Sequence, residues 1–329
     1  MTKKGPATGK STSVLSRGNV RAIGREPPLC HAVDVRREHC DEGKGFVHPG
    51  IGLALGGGFA RGFAHLGVFR VLEQHKIPVT HIAGTGVGSI LGAAYAGGAP
   101  LGRIVECCKG LCFGEIRRWR TSRLGPASNQ RLAALVDRVF ESRQFEDLRI
   151  PVAVVATNLG SGEPVVFTQG HLTDAICASC AFPGLFEPVE IGTRCLVDGG
   201  LVAPVPTQAA RQIGAPVVVG VSVGLHDGYR GAPKNIFQVV SRSVSAAQRH
   251  QTEVWERQAD LVLRPDVQGL AWDDLARAEE AIKAGAAAAE RALPRIAKLL
   301  ERPAPNTGES PARLEAEDRA DLWLAETLR

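Results

Sequence analysis

The sequence predicts an α/β fold built on a mostly parallel sheet, and three observations carry that prediction. Short runs that are apolar throughout, such as Ile51–Leu55 and 217–221, alternate with segments of helical period. Strands of that kind are buried on both faces, as a parallel sheet between helical layers requires. Glycine-rich turns close three of the runs, at 56–58, 84–88 and 198–200. No stretch approaches the roughly 18 uninterrupted apolar residues of a spanning helix, so an integral membrane protein is not expected.

The elements follow in chain order. Ile51–Leu55 reads as a strand ending in Gly56-Gly57-Gly58, and a helical pattern covers 62–75. A second apolar run at 79–83 ends in Gly84-Thr85-Gly86-Val87-Gly88 and leads into a small-residue helix over 89–96. Helices around 100–112 and 128–140 precede a strand at 152–157 and its hairpin partner at 164–168. A helix near 172–180, a strand at 194–197 and a helix at 207–213 follow. The strand at 217–221, one long helix over 235–257, the strand Leu261–Leu263 and a helix over 274–300 complete the body.

The net charge of +5 comes from 39 basic and 34 acidic residues, and it is unevenly placed. Lys3, Lys4, Lys10, Arg17, Arg21 and Arg25 stand among residues 1–25 with no acid, leaving the rest near neutral at 33 basic and 34 acidic. Nucleic acid is therefore not an expected partner. Residues 1–48 lack an apolar period and read as a disordered basic arm; its Gly9-Lys10-Ser11-Thr12 lacks the glycine and strand of a phosphate loop. Peripheral contact with an anionic membrane is one use for such an arm. Residues 301–329 read as a linker over 303–311 and a terminal helix with Leu314, Leu322, Trp323, Leu324 and Leu328 on one side, docking on its own domain or a twin. Eight cysteines (30, 40, 107, 108, 112, 177, 180 and 195) without framework spacing imply reduced thiols in a cytoplasmic setting.

Chemistry concentrates in the turns, because open α/β sheets place their sites at strand C-termini. The turn Gly56-Gly57-Gly58-Phe59-Ala60-Arg61-Gly62 lets backbone N–H groups approach an anion or a developing oxyanion. Arg61 stands where a dinucleotide fingerprint needs its third glycine. Gly84-Thr85-Gly86-Val87-Gly88 has the setting and flanking glycines of a G-x-S-x-G nucleophile elbow, with glycine at its centre. Asp198-Gly199-Gly200 ends a strand and would hold a carboxylate at the same edge.

Together these turns resemble the patatin-like phospholipase family, over Ile51 to about Gly224 and more loosely to about residue 300. The runs Ala64-His65-Leu66-Gly67-Val68, Ala156-Thr157-Asn158-Leu159, 178–186 and Leu196-Val197-Asp198-Gly199-Gly200 match as well. The resemblance implies a three-layer α/β/α fold over 49–300 that cleaves lipid acyl esters with a Ser–Asp dyad. It would make Asp198 the general base and the turn containing Gly57, Gly58 and Arg61 the oxyanion hole. Gly56, Gly62, Gly84, Gly88, Gly199 and Gly200 would be motif glycines, with phospholipid or another acyl-ester lipid as partner.

The nucleophile would belong at Gly86, and glycine has no oxygen or sulfur to attack with. Glycine does adopt a strained elbow at little cost, so the turn is expected to survive while hydrolysis becomes weak or absent. Ser89 lies a helical turn away, about 4.5 Å along the axis, and Thr85 points to the other side, so neither is expected to substitute. The readings are an acyl hydrolase scaffold lacking its nucleophile, a non-catalytic lipid or fatty-acid binder, and an active phospholipase in which Gly86 is an engineered or erroneous change. A nucleotide-binding dehydrogenase ranks last, since the turn is G-x-G-x-G.

The dyad needs no metal or other cofactor, and no ligand cluster is visible in the sequence. Cys177 and Cys180 read as a packed thiol pair rather than a redox or metal site, and Cys107, Cys108 and Cys112 likewise. His65 is expected behind the glycine turn, and neither His226 nor His250 fits a triad. Arg117, Arg118 and Arg120 around Trp119 read as a solvated face.

Overall fold

The computed structural model describes residues 50–109, 127, 129–139, 143–224 and 232–301. The basic arm, the linker with the terminal helix, Arg117 to Arg120, Cys112 and His226 lie outside the described residues.

A single sheet runs through the structure in the order β5-β6-β3-β2-β1-β7-β8, with β4 also paired to β3. Strands β1 (Ile51–Leu55), β2 (Val79–Gly84), β3 (Val152–Asn158), β7 (Val218–Val221) and β8 (Leu261–Leu263) are mutually parallel. Strands β4 (Pro164–Phe167), β5 (Val189–Ile191) and β6 (Arg194–Asp198) join by antiparallel pairing. Helices cover both faces. On β1, Ile51, Leu53 and Leu55 enter the larger core with helices α1 (Ala64–Gln74), α2 (Val87–Ala96) and α9 (Ala278–Leu300). Ala54 of β1, with Ala83 and Ala153 beside it in the sheet, faces α6 (Thr207–Gln212) and Trp255 on the opposite side. Large residues on one face and small ones on the other let α6 approach closely; a Cβ on Gly52 would overlap Ala215.

Between α1 and α9 the contact is made through glycine. A side chain on Gly67 would overlap the Ile282 carbonyl, and one on Gly285 the Ala64 carbonyl. This crossing anchors the first glycine turn, which lies just upstream of α1. The remaining helices are α3 (Leu101–Lys109), α4 (Asn129–Val139), α5 (Leu172–Ser179), α7 (Ile236–His250) and α8 (Thr252–Glu256).

The α/β fold and mostly parallel sheet expected from sequence are present. Two elements differ from expectation. The helix expected over 235–257 is two helices hinged at Gln251, whose side-chain amide donates to Leu201 O at 2.9 Å. Strand β5, three residues long and half-exposed, was not anticipated, because it is too short to display a period.

Candidate active site

Strand pairing explains how the second and third turns meet. Strand β3 pairs with β2 through residues 152–154 and with β6 through 156–158. Its opposite edge carries β4 over 154–157, so β2 and β6 share one edge of β3. They run in opposite directions and meet head-on at their C-terminal ends. Asp198 therefore reaches the end of β2 from an antiparallel strand, where the sequence suggested only a shared edge.

At that junction Gly86 has φ 56 and ψ −127 and caps α2, the sharp strand-to-helix turn of an elbow. Its neighbours show why the flanking positions must be glycine. A Cβ on Gly84 would overlap the Ser89 backbone, and one on Gly88 would overlap the Leu55 carbonyl. Gly86 is different: a Cβ there would stand 3.5 Å from Gly57 Cα, 3.7 Å from Asp198 Oδ2 and 4.0 Å from Ser179 O, all ordinary contacts. The backbone angle favours glycine at 86, but the space admits a side chain directed at the Asp198 carboxylate.

Buried polar groups hold this geometry. Gly86 N–H donates to Ser179 Oγ at 2.9 Å, and the Ser179 hydroxyl donates to Val155 O at 2.6 Å. The Ser89 hydroxyl donates to Gly86 O at 2.6 Å, committing it to the elbow's own backbone. Thr85 Oγ1 donates to Ala203 O at 3.1 Å, away from Asp198. Asp198 caps the short turn Gly199–Leu201, its Oδ1 accepting from Gly200 N at 2.7 Å. Oδ2 is thereby left as the oxygen facing Gly86. Gln248 on α7 donates to Gly200 O at 2.8 Å and holds the same turn from the other side.

Burial sets the protonation states. Asp198 is 9% exposed, and loss of solvation raises its carboxyl from 3.8 to about 7, opposed only by the Gly200 N–H. A carboxyl poised there can exchange a proton near neutral pH. His65 is fully buried and pushed down to about 4 by desolvation, so it is neutral. Its Nε2 lies 2.9 Å from Gly56 O; a carbonyl only accepts, so Nε2 carries the proton and supports the glycine turn from behind. Cys177 and Cys180 are free and buried, and burial raises both thiols, Cys177 to about 12.

In the first turn, Gly56 N–H donates to Val221 O and Ala60 N–H to Trp272 O. The N–H groups of Gly57 and Gly58 make no backbone hydrogen bond among the described residues, and both glycines line the cavity described next. Arg61, within the same turn, is buried with Nε donating to Leu270 O at 2.8 Å; it does not line the cavity. Its side chain clamps the turn to the loop before α9.

A cavity of about 170 Å³ opens from this junction, with Gly57, Gly58, Gly86, Asp198 and Gly200 at its polar end. Its other walls are mostly apolar. Four of their rings close a cycle: Phe59 on Trp272 at 5.0 Å, Trp272 on Phe237 at 5.0 Å, Phe237 on Phe182 at 6.1 Å, and Phe182 on Phe59 at 5.9 Å. Sequence reasoning missed Ser179, Gln248 and this ring cycle. Their roles depend on contacts 24 to 213 residues apart in the chain, which no local motif reports.

Residues 53–211 match the patatin-like phospholipase family. That stretch is just under half of the chain. An uncharacterized NTE family protein of Mycobacterium tuberculosis is 34% identical over 183 residues, covering 55% of this chain and 51% of the relative. Patatin-like phospholipase domain-containing protein 6 of Homo sapiens is 32% identical over 190 residues, 54% of this chain and 14% of that one. Lysophospholipase NTE1 of Mycosarcoma maydis is 33% identical over 183 residues, 54% and 10%. The chain thus spans about half the length, or less, of these relatives. Among solved structures, VipD from Legionella pneumophila matches 74% of this chain and 67% of its own at 13% identity, with a TM-score of 0.47. The patatin-like match ends before β7, yet Ser222, Phe237, Gln248 and Trp272, all beyond it, line the cavity.

Proposed function

We propose that this protein is a patatin-like acyl-ester hydrolase scaffold whose nucleophile position is Gly86, with hydrolysis weak or absent and acyl-lipid binding retained. The observation that carries the reading is the contrast within the elbow: 84 and 88 have no room for a side chain, whereas 86 has room and points at Asp198 Oδ2. A serine there would hand its proton to Asp198 while attacking an acyl carbonyl, and the N–H groups of Gly57 and Gly58 would receive the negative charge. Arg61 serves by holding that turn in place. The name lysophospholipase borne by one relative supports a lipid ester as the substrate class.

Restoring the missing atom tests this. Gly86→Ser should raise release of chromophore from a short-chain nitrophenyl ester by several orders of magnitude, up to about 10⁶-fold, and Asp198→Ala in that background should remove the gain. No gain from a folded Gly86→Ser protein would overturn the assignment of position 86. Rapid turnover by the parent chain would overturn the claim of weak hydrolysis.

The second reading is a non-catalytic binder of lipid or fatty acid. The ring-lined cavity, still joined to unpaired backbone donors and a buried carboxyl, favours it. Mass spectrometry of co-purified lipid separates the two, because a binder retains its ligand intact.

A further inference from the structure

We propose that the niche between Gly86, Asp198 and the glycine turn binds a free long-chain fatty acid by its carboxyl group, the acid's second oxygen occupying the place a nucleophile's hydroxyl would take. This rests on the reading of position 86 given above and names the ligand of that site.

The argument is an inventory of polar groups. Of the atoms facing the niche, Gly86 N–H is committed to Ser179 Oγ, the Ser89 hydroxyl to Gly86 O, and Asp198 Oδ1 to Gly200 N. Next to Gly86 this leaves Asp198 Oδ2 and the N–H groups of Gly57 and Gly58, which no described residue's backbone pairs; the Ser222 hydroxyl lines the cavity as well. Two backbone donors and a carboxyl oxygen match a carboxylic acid, whose carbonyl accepts and whose hydroxyl donates. An ester has the carbonyl but no hydroxyl or ionisable oxygen: it pairs with Oδ2 only while Asp198 is protonated, and then without the charge-assisted bond that a carboxyl pair makes. In an elbow carrying serine, the serine oxygen would fill the position opposite Oδ2. Gly86 leaves that volume open, and the acid supplies the missing oxygen itself. The alkyl chain then lies among Phe59, Phe182, Phe237 and Trp272.

Such a pair holds one proton between two carboxyl groups, as carboxylate dyads do, and fails when both are ionised. The titratable and charged groups around Asp198 do not replace that proton. The Cys180 thiol at the end of α5 is kept protonated by burial, and Asp273 on the cavity wall adds only negative charge. His65 is neutral behind the glycine turn, and the Arg61 guanidinium is turned toward Leu270 O. Binding therefore weakens as pH rises.

The test uses delipidated full-length protein with the fluorescent fatty acid cis-parinaric acid and, separately, its methyl ester, at pH 6 and pH 8.5. The acid should bind at pH 6 and weaken at least about tenfold at pH 8.5, while the ester should bind at least about tenfold more weakly than the acid at pH 6. Asp198→Asn, whose amide donates to a carboxylate, should abolish the loss at high pH. Equal binding of acid and ester, or pH-independent binding of the acid, overturns this inference and leaves the acyl cavity standing. A folded Gly86→Ser protein without hydrolysis overturns the underlying reading instead. Gly86→Ser with hydrolysis but undiminished acid affinity again overturns the inference, because the hydroxyl would occupy the acid's oxygen site.

Discussion

Replacing Asp198 by asparagine should make the protein more stable at alkaline pH. The side chain keeps its size and its acceptor for Gly200 N, and loses only the ability to ionise. The folded-state carboxyl sits at about 7 against 3.8 in a solvated chain, so its contribution to stability is complete below about pH 3.8 and is lost as pH rises through 7. That distance corresponds to about 4 kcal/mol in total, of which about 3 kcal/mol falls between pH 5 and pH 8. His65 works in the opposite sense: held near 4, it contributes fully above 6.5 and is lost as pH falls. The two slopes overlap in the parent, so its pH profile alone decides nothing. The difference between variant and parent cancels His65 and isolates Asp198. Urea denaturation at pH 5 and pH 8 should show the variant's advantage growing by about 3 kcal/mol between the two. If both proteins change in parallel across that interval, Asp198 is not held protonated by burial, and the proton-exchange role drawn for it fails.

Three further outcomes are expected. Ser179→Ala removes the acceptor for Gly86 N–H and the donor to Val155 O, and should cost about 2–4 kcal/mol in urea denaturation; in the Gly86→Ser background it should lower kcat with KM little changed. Gly86→Ala should cost only about 1–2 kcal/mol, for its backbone angle, whereas Gly88→Ala, forced against the Leu55 carbonyl, should cost more or prevent soluble expression. Phe237→Ala opens the ring cycle and should weaken binding of cis-parinaric acid several-fold in a fluorescence titration.

Much of the fold was legible because its signals are local. The apolar runs that became β1, β7 and β8 are continuous in sequence, and the turns at 56–58, 84–88 and 198–200 declare themselves by their glycines. The approach of Asp198 was legible only in outcome. Its position at a strand end is readable, but that β6 runs against β3 and meets β2 head-on depends on pairings between residues 38 apart or more. Ser179 was invisible for a related reason. It sits in Ala178-Ser179-Cys180, an unexceptional helix end, and its importance appears only once Gly86 N and Val155 O are brought to either side of it. Gln248 and the rings of Phe237 and Trp272 belong to elements whose helical or loop pattern carries no mark of a site.

The elbow separates what folding demands from what chemistry demands. Glycine at 84 and 88 is dictated by backbone approaching within overlap distance, so those positions would be glycine in any protein built on this turn. Glycine at 86 is favoured by the backbone angle, but no neighbouring atom excludes a side chain there. A chain that had abandoned the site altogether would have no physical reason to keep a buried carboxyl near neutral protonation in one niche with two N–H groups that no described residue's backbone pairs. Each of those groups carries a desolvation cost that an apolar replacement would remove. Their joint presence is best explained by a ligand that pairs with them, and with no side chain at 86, that ligand must bring its own oxygen.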